Sequence, residues 1–117
     1  MASAQRDYVQ IAIDYAQDAV KDKKRKRFGK WVRLAAKRFL DDLKRAKSKD
    51  APFLFDPWHA IDACDFIEKL PHVEGTWDTE NVVMHPSHVL FVVQLFGFRN
   101  HDGTRRFTTA LFAVARK

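Results

Sequence analysis

Phe107–Val114 (FTTALFAV) is rich in β-branched and aromatic residues and reads as a buried strand. A strand alone is not stable, and nearly every other periodic segment of this chain has helical spacing. That mismatch constrains the fold more than any other feature. The expected architecture is mainly α: a helical subdomain over residues 1–99, then a turn and a first strand over 100–117. The chain ends at Ala115-Arg116-Lys117, where that strand has no sheet to join. The sequence therefore reads as cut off where an α/β core begins.

Four helices are expected before that point. Tyr8, Ile11, Ala12, Tyr15 and Ala19 fall at i, i+3, i+4, i+7 and i+11, which predicts a helix over 4–20. Lys21–Arg27 (KDKKRKR) follows and either frays into a linker or places positive charge at the helix C-terminus, where it is favourable. Val32, Ala35, Ala36, Phe39, Leu40 and Leu43 set a second helix over Lys30–Lys44, with Trp31 and Leu34 on its flank. A polar loop is expected over Ala46–Ala51. Asp56-Pro57 is an N-cap followed by a first-turn proline, and the helix it opens runs to Pro71.

Residues 72–85 show no period and read as an irregular connection, extended at Val82–Met84. Pro86 opens a fourth helix, Ser87–Phe96, apolar on almost every face and so expected to be buried, with Gly97 as its C′ residue. His101-Asp102-Gly103 reads as a turn.

Several function classes lose support. The longest apolar run, Val89–Val93, has five residues, far below the roughly 18 of a membrane span. MASAQRDYVQ lacks the basic start and apolar stretch of a secretory signal, so an intracellular protein is expected. One cysteine, Cys64, excludes an internal disulfide. His85 and His88 lie three apart, but His59, Cys64 and His72 have no ligand spacing, and no metal site is expected. Cys64 would form a catalytic dyad with a histidine only by an accident of folding. Asp62, Asp65 and Glu68 form an acidic stripe that reads as a solvent face.

Charge is unevenly spread. Residues 1–49 hold 15 of the 21 Lys and Arg but only 6 of the 15 Asp and Glu, a balance of +9, whereas residues 50–117 carry −3. Lys23, Lys24, Arg25, Lys26 and Arg27 are the candidate DNA-backbone contacts, sequence-independent and weakened by salt. The other reading is a solvated, partly helical linker.

Several motifs run in a defined order. Phe53–Trp77 contains Phe-Leu-Phe-Asp, then Phe-Ile-Glu-Lys-Leu-Pro-His, then Gly-Thr-Trp. Met84–Lys117 contains Leu-Phe-Gly-Phe, Asp-Gly-Thr-Arg-Arg-Phe and a terminal Ala-Arg-Lys. With the helix around Trp31–Leu43, this set resembles the N-terminal region of the large terminase subunit of tailed bacteriophages, the ATPase and nuclease motor that packages DNA.

The resemblance spans about residues 25–117. It implies a strand leading into the phosphate-binding loop of a P-loop ATPase core, with ATP and Mg²⁺ used by the complete protein. It also implies double-stranded DNA, a small terminase subunit and the capsid portal as partners, in the cytoplasm of a bacterial host. On that likeness Arg116 and Lys117 belong to the mouth of the phosphate loop. His88 stands where many members carry a glutamine that reads adenine; Gln94 is the alternative amide, but inside an apolar helix its side chain is expected to satisfy a backbone group. The family's loop Lys and Ser are not among these 117 residues, nor are its metal-binding acidic pair and nuclease domain. No catalytic residue is therefore assigned, and no ATP hydrolysis is expected of this chain. The rival class is a stand-alone basic helical module that binds DNA or regulates, supported by the basic N-terminal half.

Overall fold

The computed structural model describes residues 6–24, 27–77 and 79–112. Their order is α1 (Tyr8–Lys21), α2 (Lys30–Ala46), β1 (Phe53–Phe55), α3 (Pro57–Glu68), α4 (Pro86–Gly97) and β2 (Phe98–Asn100). The chain is mainly helical, with one small two-stranded sheet.

Three helix starts follow from local chemistry. Asp7 caps α1, its Oδ1 accepting from the Gln10 N–H at 3.1 Å. Asp56 caps α3 through the Trp58 N–H at 3.0 Å, with Pro57 at the first helical position. At α4 the cap is His85, whose Nδ1 accepts from the Ser87 N–H at 3.2 Å, again with a proline next. The other boundaries shift slightly. α2 runs to Ala46, and α3 stops at Glu68, short of Pro71.

α1 packs against the other three helices, and α3 packs on α4. Ala12, Ala16 and Ala19 are fully buried on α1, and their small side chains let neighbouring helices approach closely. Arg33 of α2 closes the C-terminus of α1: its Nε donates to the Ala19 carbonyl at 3.2 Å and its Nη2 to Val20 at 3.4 Å.

β1 and β2 pair antiparallel, with Phe53 opposite Asn100 and Phe55 opposite Phe98. Phe98 is the hub. Its ring meets Phe39, Phe53 and Phe55 edge-on at 6.1, 5.6 and 5.1 Å. Gly97 is not the C′ residue expected from sequence. It lies inside α4, with no positive φ, and a Cβ there would come within 2.5 Å of the Phe55 ring. Close packing of a helix on a strand is what requires glycine at this position.

Past β2 the expected turn is present. Gly103 takes φ +90°, and the Asp102 carboxylate accepts from the N–H and hydroxyl of Thr104. Those two bonds hold the Asp102 carboxyl below its ordinary pKa. Arg106 then reaches Asp42, buried on α2, at 2.9 Å. Residues 107–112 form no strand. The only described sheet has two strands, and on the outer side of β2 Arg99 is bridged by Arg105, so that edge is already occupied where the chain enters this segment. Residues 113 and 114 of the expected strand lie outside the described residues.

Candidate functional site

Two regions gather the residues singled out from sequence: a furrow between α2 and α4, and the basic turn between α1 and α2.

The furrow has a volume of about 360 Å³, within the range of about 300–1,000 Å³ common for small-molecule clefts. Tyr15 and Trp31 contribute aromatic surface from α1 and α2, and Phe91 and Phe112 from α4 and the final segment. Ser87 and Gln94 supply the polar groups. The furrow exists because α1 packs on both α2 and α4 and holds them apart. Leu111 and Phe112 close one side, with Phe112 tilted on Phe91 at 4.8 Å.

His88 lies at the rim, exposed in the first turn of α4. Its ring meets Phe112 edge-on at 5.5 Å and His85 at 6.2 Å. The adenine-side candidate and the segment leading to Arg116 and Lys117 are thus neighbours. Arg116 and Lys117 themselves lie outside the described residues.

Gln94 differs from its sequence reading, which gave its amide a backbone partner. The amide makes no hydrogen bond among the described residues and lines the furrow instead. Sequence pattern misses this because the second wall, residues 107–112, comes from an unrelated stretch of chain.

At the basic turn, Asp22 organises the chain. Its Oδ2 accepts from the backbone N–H groups of Arg27 at 2.7 Å and Phe28 at 2.9 Å. Lys23, Lys24 and Arg27 are exposed around it, while Arg25 and Lys26 lie outside the described residues. Neighbouring Arg33 is committed to the α1 carbonyls, so it serves the fold rather than a ligand.

The acidic stripe is corrected at one position. Asp62 is exposed, but the Glu68 side chain is only 9% exposed. Glu68 accepts from Arg6 Nη1, from the Tyr8 hydroxyl at 3.0 Å and from the Met84 N–H at 2.8 Å. Burial among apolar residues makes an i, i+3, i+6 pattern misleading here. The same burial, followed by Glu68, raises the Tyr8 phenol pKa. Burial also pushes the Cys64 thiol up to about 12, with the Glu68 charge adding to it. A thiol held neutral is the reverse of an activated nucleophile.

Among the described residues no three His, Cys, Asp or Glu side chains form a metal-binding group. No helix among them is long and apolar enough to cross a membrane. No protein-family model, curated protein or solved structure matches the chain.

Proposed function

We propose that the chain is the N-terminal helical region of a phage DNA-packaging ATPase of the terminase large-subunit type, and that the α2–α4 furrow takes the nucleotide base. The observation that carries this reading is the furrow itself. It is walled by aromatic rings suited to stacking on a flat heterocycle, and it holds an amide, Gln94, with no protein partner among the described residues. His88 stands at its rim beside Phe112, where an imidazole offers one donor and one acceptor to a base edge. In this reading residues 107–112 lead to the phosphate side, and Arg116 and Lys117 open the loop that holds the phosphates. Hydrolysis, Mg²⁺ binding and contacts with the small subunit and portal belong to the complete motor.

The test is the genomic DNA beyond the Lys117 codon, read in all three frames. A frame continuing into a phosphate-loop Lys-Ser and a long α/β segment is the expected result. ATP hydrolysis by that longer product should then fall on Gln94→Ala. No continuing frame would overturn the reading.

The second reading, a basic module that binds DNA by itself, is favoured by one observation: Lys21, Lys23, Lys24, Arg27 and Lys30 are all exposed around a single turn.

A further inference from the structure

Asp42 on α2 is a single buried carboxylate, and three guanidinium groups converge on it. Arg106 is the closest, at 2.9 Å, with a side chain only 21% exposed. Arg45 follows at 3.3 Å, and Arg38 stands off at 3.7 Å. One negative charge balances one of the three, and distance and burial assign it to Arg106. Arg38 is therefore a surplus cation. Beyond that loose pairing it makes no hydrogen bond among the described residues, and its guanidinium sits over the Phe107 ring at 5.0 Å.

The same arginine lines a second cavity, of about 230 Å³, on the far side of Gln94 from Ser87 and Trp31. The two cavities share Phe91, Gln94 and Leu111, whereas Arg38, Leu95, Phe107 and Thr109 belong to the second alone. Arg38 is the one charged group in its lining, and no carboxylate faces it there. The wall around it is apolar, with one amide and one hydroxyl. Its volume lies below the range of about 300–1,000 Å³ usual for drug-sized ligands, which limits an occupant to a small molecule.

We propose that this cavity binds a small monocarboxylate with an aromatic or branched apolar body. A guanidinium is a planar fork that pairs with a planar carboxylate through two N–H bonds, and the stack on Phe107 fixes the plane of the fork. The apolar body then lies against Phe91 and Leu95, and the Gln94 amide can serve a second polar group. A bare inorganic anion would meet Arg38 but cover none of the apolar wall. Because Gln94 and Leu111 wall both cavities, an occupant here also touches the side of the furrow. The inference rests on Arg38 and its surroundings, not on the nucleotide reading.

Titration of the 117-residue chain with benzoate, followed by the NMR signals of the Arg38 Nε–H and the Gln94 side-chain amide, tests it. Benzamide, the neutral analogue, and inorganic phosphate at matched ionic strength are the comparison probes. Benzoate should shift both signals to saturation and bind about five- to tenfold tighter than benzamide, a modest factor because Arg38 is partly solvated. Phosphate should bind more weakly than benzoate.

Three substitutions at exposed positions of α2 locate the effect, with circular dichroism as the check on folding. Arg38→Gln should bring benzoate and benzamide level, and Arg38→Lys, which keeps the charge but not the fork, should retain part of the preference. Lys37→Gln removes the neighbouring charge, which lies outside this cavity, and should leave the preference unchanged. No saturation by about 10 mM benzoate overturns the proposal. Equal binding of benzoate and benzamide does the same, as does a preference that survives Arg38→Gln. Phosphate binding as tight as benzoate would mark a bare anion contact and also overturns it.

Discussion

At Glu68 a nearly dry carboxylate receives three donors from two distant parts of the chain: Arg6 and Tyr8 at the start of α1, and the Met84 backbone just before α4. Glu68→Ala strands the Tyr8 hydroxyl and the Met84 N–H. Each buried group left unsatisfied costs about 1–3 kcal/mol. The Arg6 side chain is 33% exposed and can return to water, so its lost pairing adds little. The expected loss is about 2–4 kcal/mol for Glu68→Ala and about half that for Glu68→Gln, which keeps an acceptor oxygen. Asp62→Ala on the exposed side of α3 should stay within about 0.5 kcal/mol. Urea midpoints at constant slope measure all three, and equal effects at positions 62 and 68 would contradict the buried role.

Beside it, Cys64 gives a pH prediction with a defined sign. Its thiol pKa is raised in the fold, so its contribution is complete below the ordinary value of 9.0 and is lost as pH rises toward about 12. Stability should therefore fall on the alkaline side, with Tyr8 acting in the same direction at higher pH. Cys64→Ala should flatten the decline above pH 9 even though it lowers stability at neutral pH. The native thiol should also resist alkylation at pH 8, reacting only as the chain unfolds.

At the scale of elements, what was legible depends on how locally each feature is encoded. Asp56-Pro57 and Pro86 mark their helices from within one turn of chain, and both helices begin where those residues stand. β1 and β2 were not legible, because three residues carry little period and their pairing spans more than forty positions of sequence. The furrow was hidden for the same reason: Gln94 acquires its setting only when residues 107–112 are placed beside it. Phe107–Val114 had the composition of a strand, but β structure requires a partner edge, and here the outer edge of β2 is taken by Arg105 while residues 107–112 do not pair with β1.

Gly97 shows the same dependence on a distant element, because the Phe55 ring of β1 fills the space a side chain would take. Gly97→Ala should cost about 1–3 kcal/mol by overpacking, although alanine is the better helix former. In a Phe55→Leu background that penalty should shrink. A double-mutant cycle by urea unfolding measures the coupling, and full additivity would show that the contact carries no energy.

For the molecule as a whole, charge is unevenly distributed, and the basic turn is the part that would meet a polyanion. Lys23, Lys24 and Arg27 project from one turn whose backbone is tied to Asp22, so their position is set by the fold rather than by a free tail. If that turn tracks duplex DNA, each phosphate contact releases a condensed counterion, and log K falls against log salt by about 0.9 per contact. Replacing Lys23, Lys24 and Arg27 together with Gln should then lower that slope by roughly 2 to 3 and weaken binding alike for unrelated sequences.

Arg33→Gln provides the contrast. Its guanidinium closes the end of α1, so its loss should appear as lower stability with the salt slope almost unchanged. Fluorescence anisotropy with two unrelated duplexes across a salt series separates the two effects. A slope unmoved by the triple substitution would release the turn from any DNA role. Its charge would then act only in solvation.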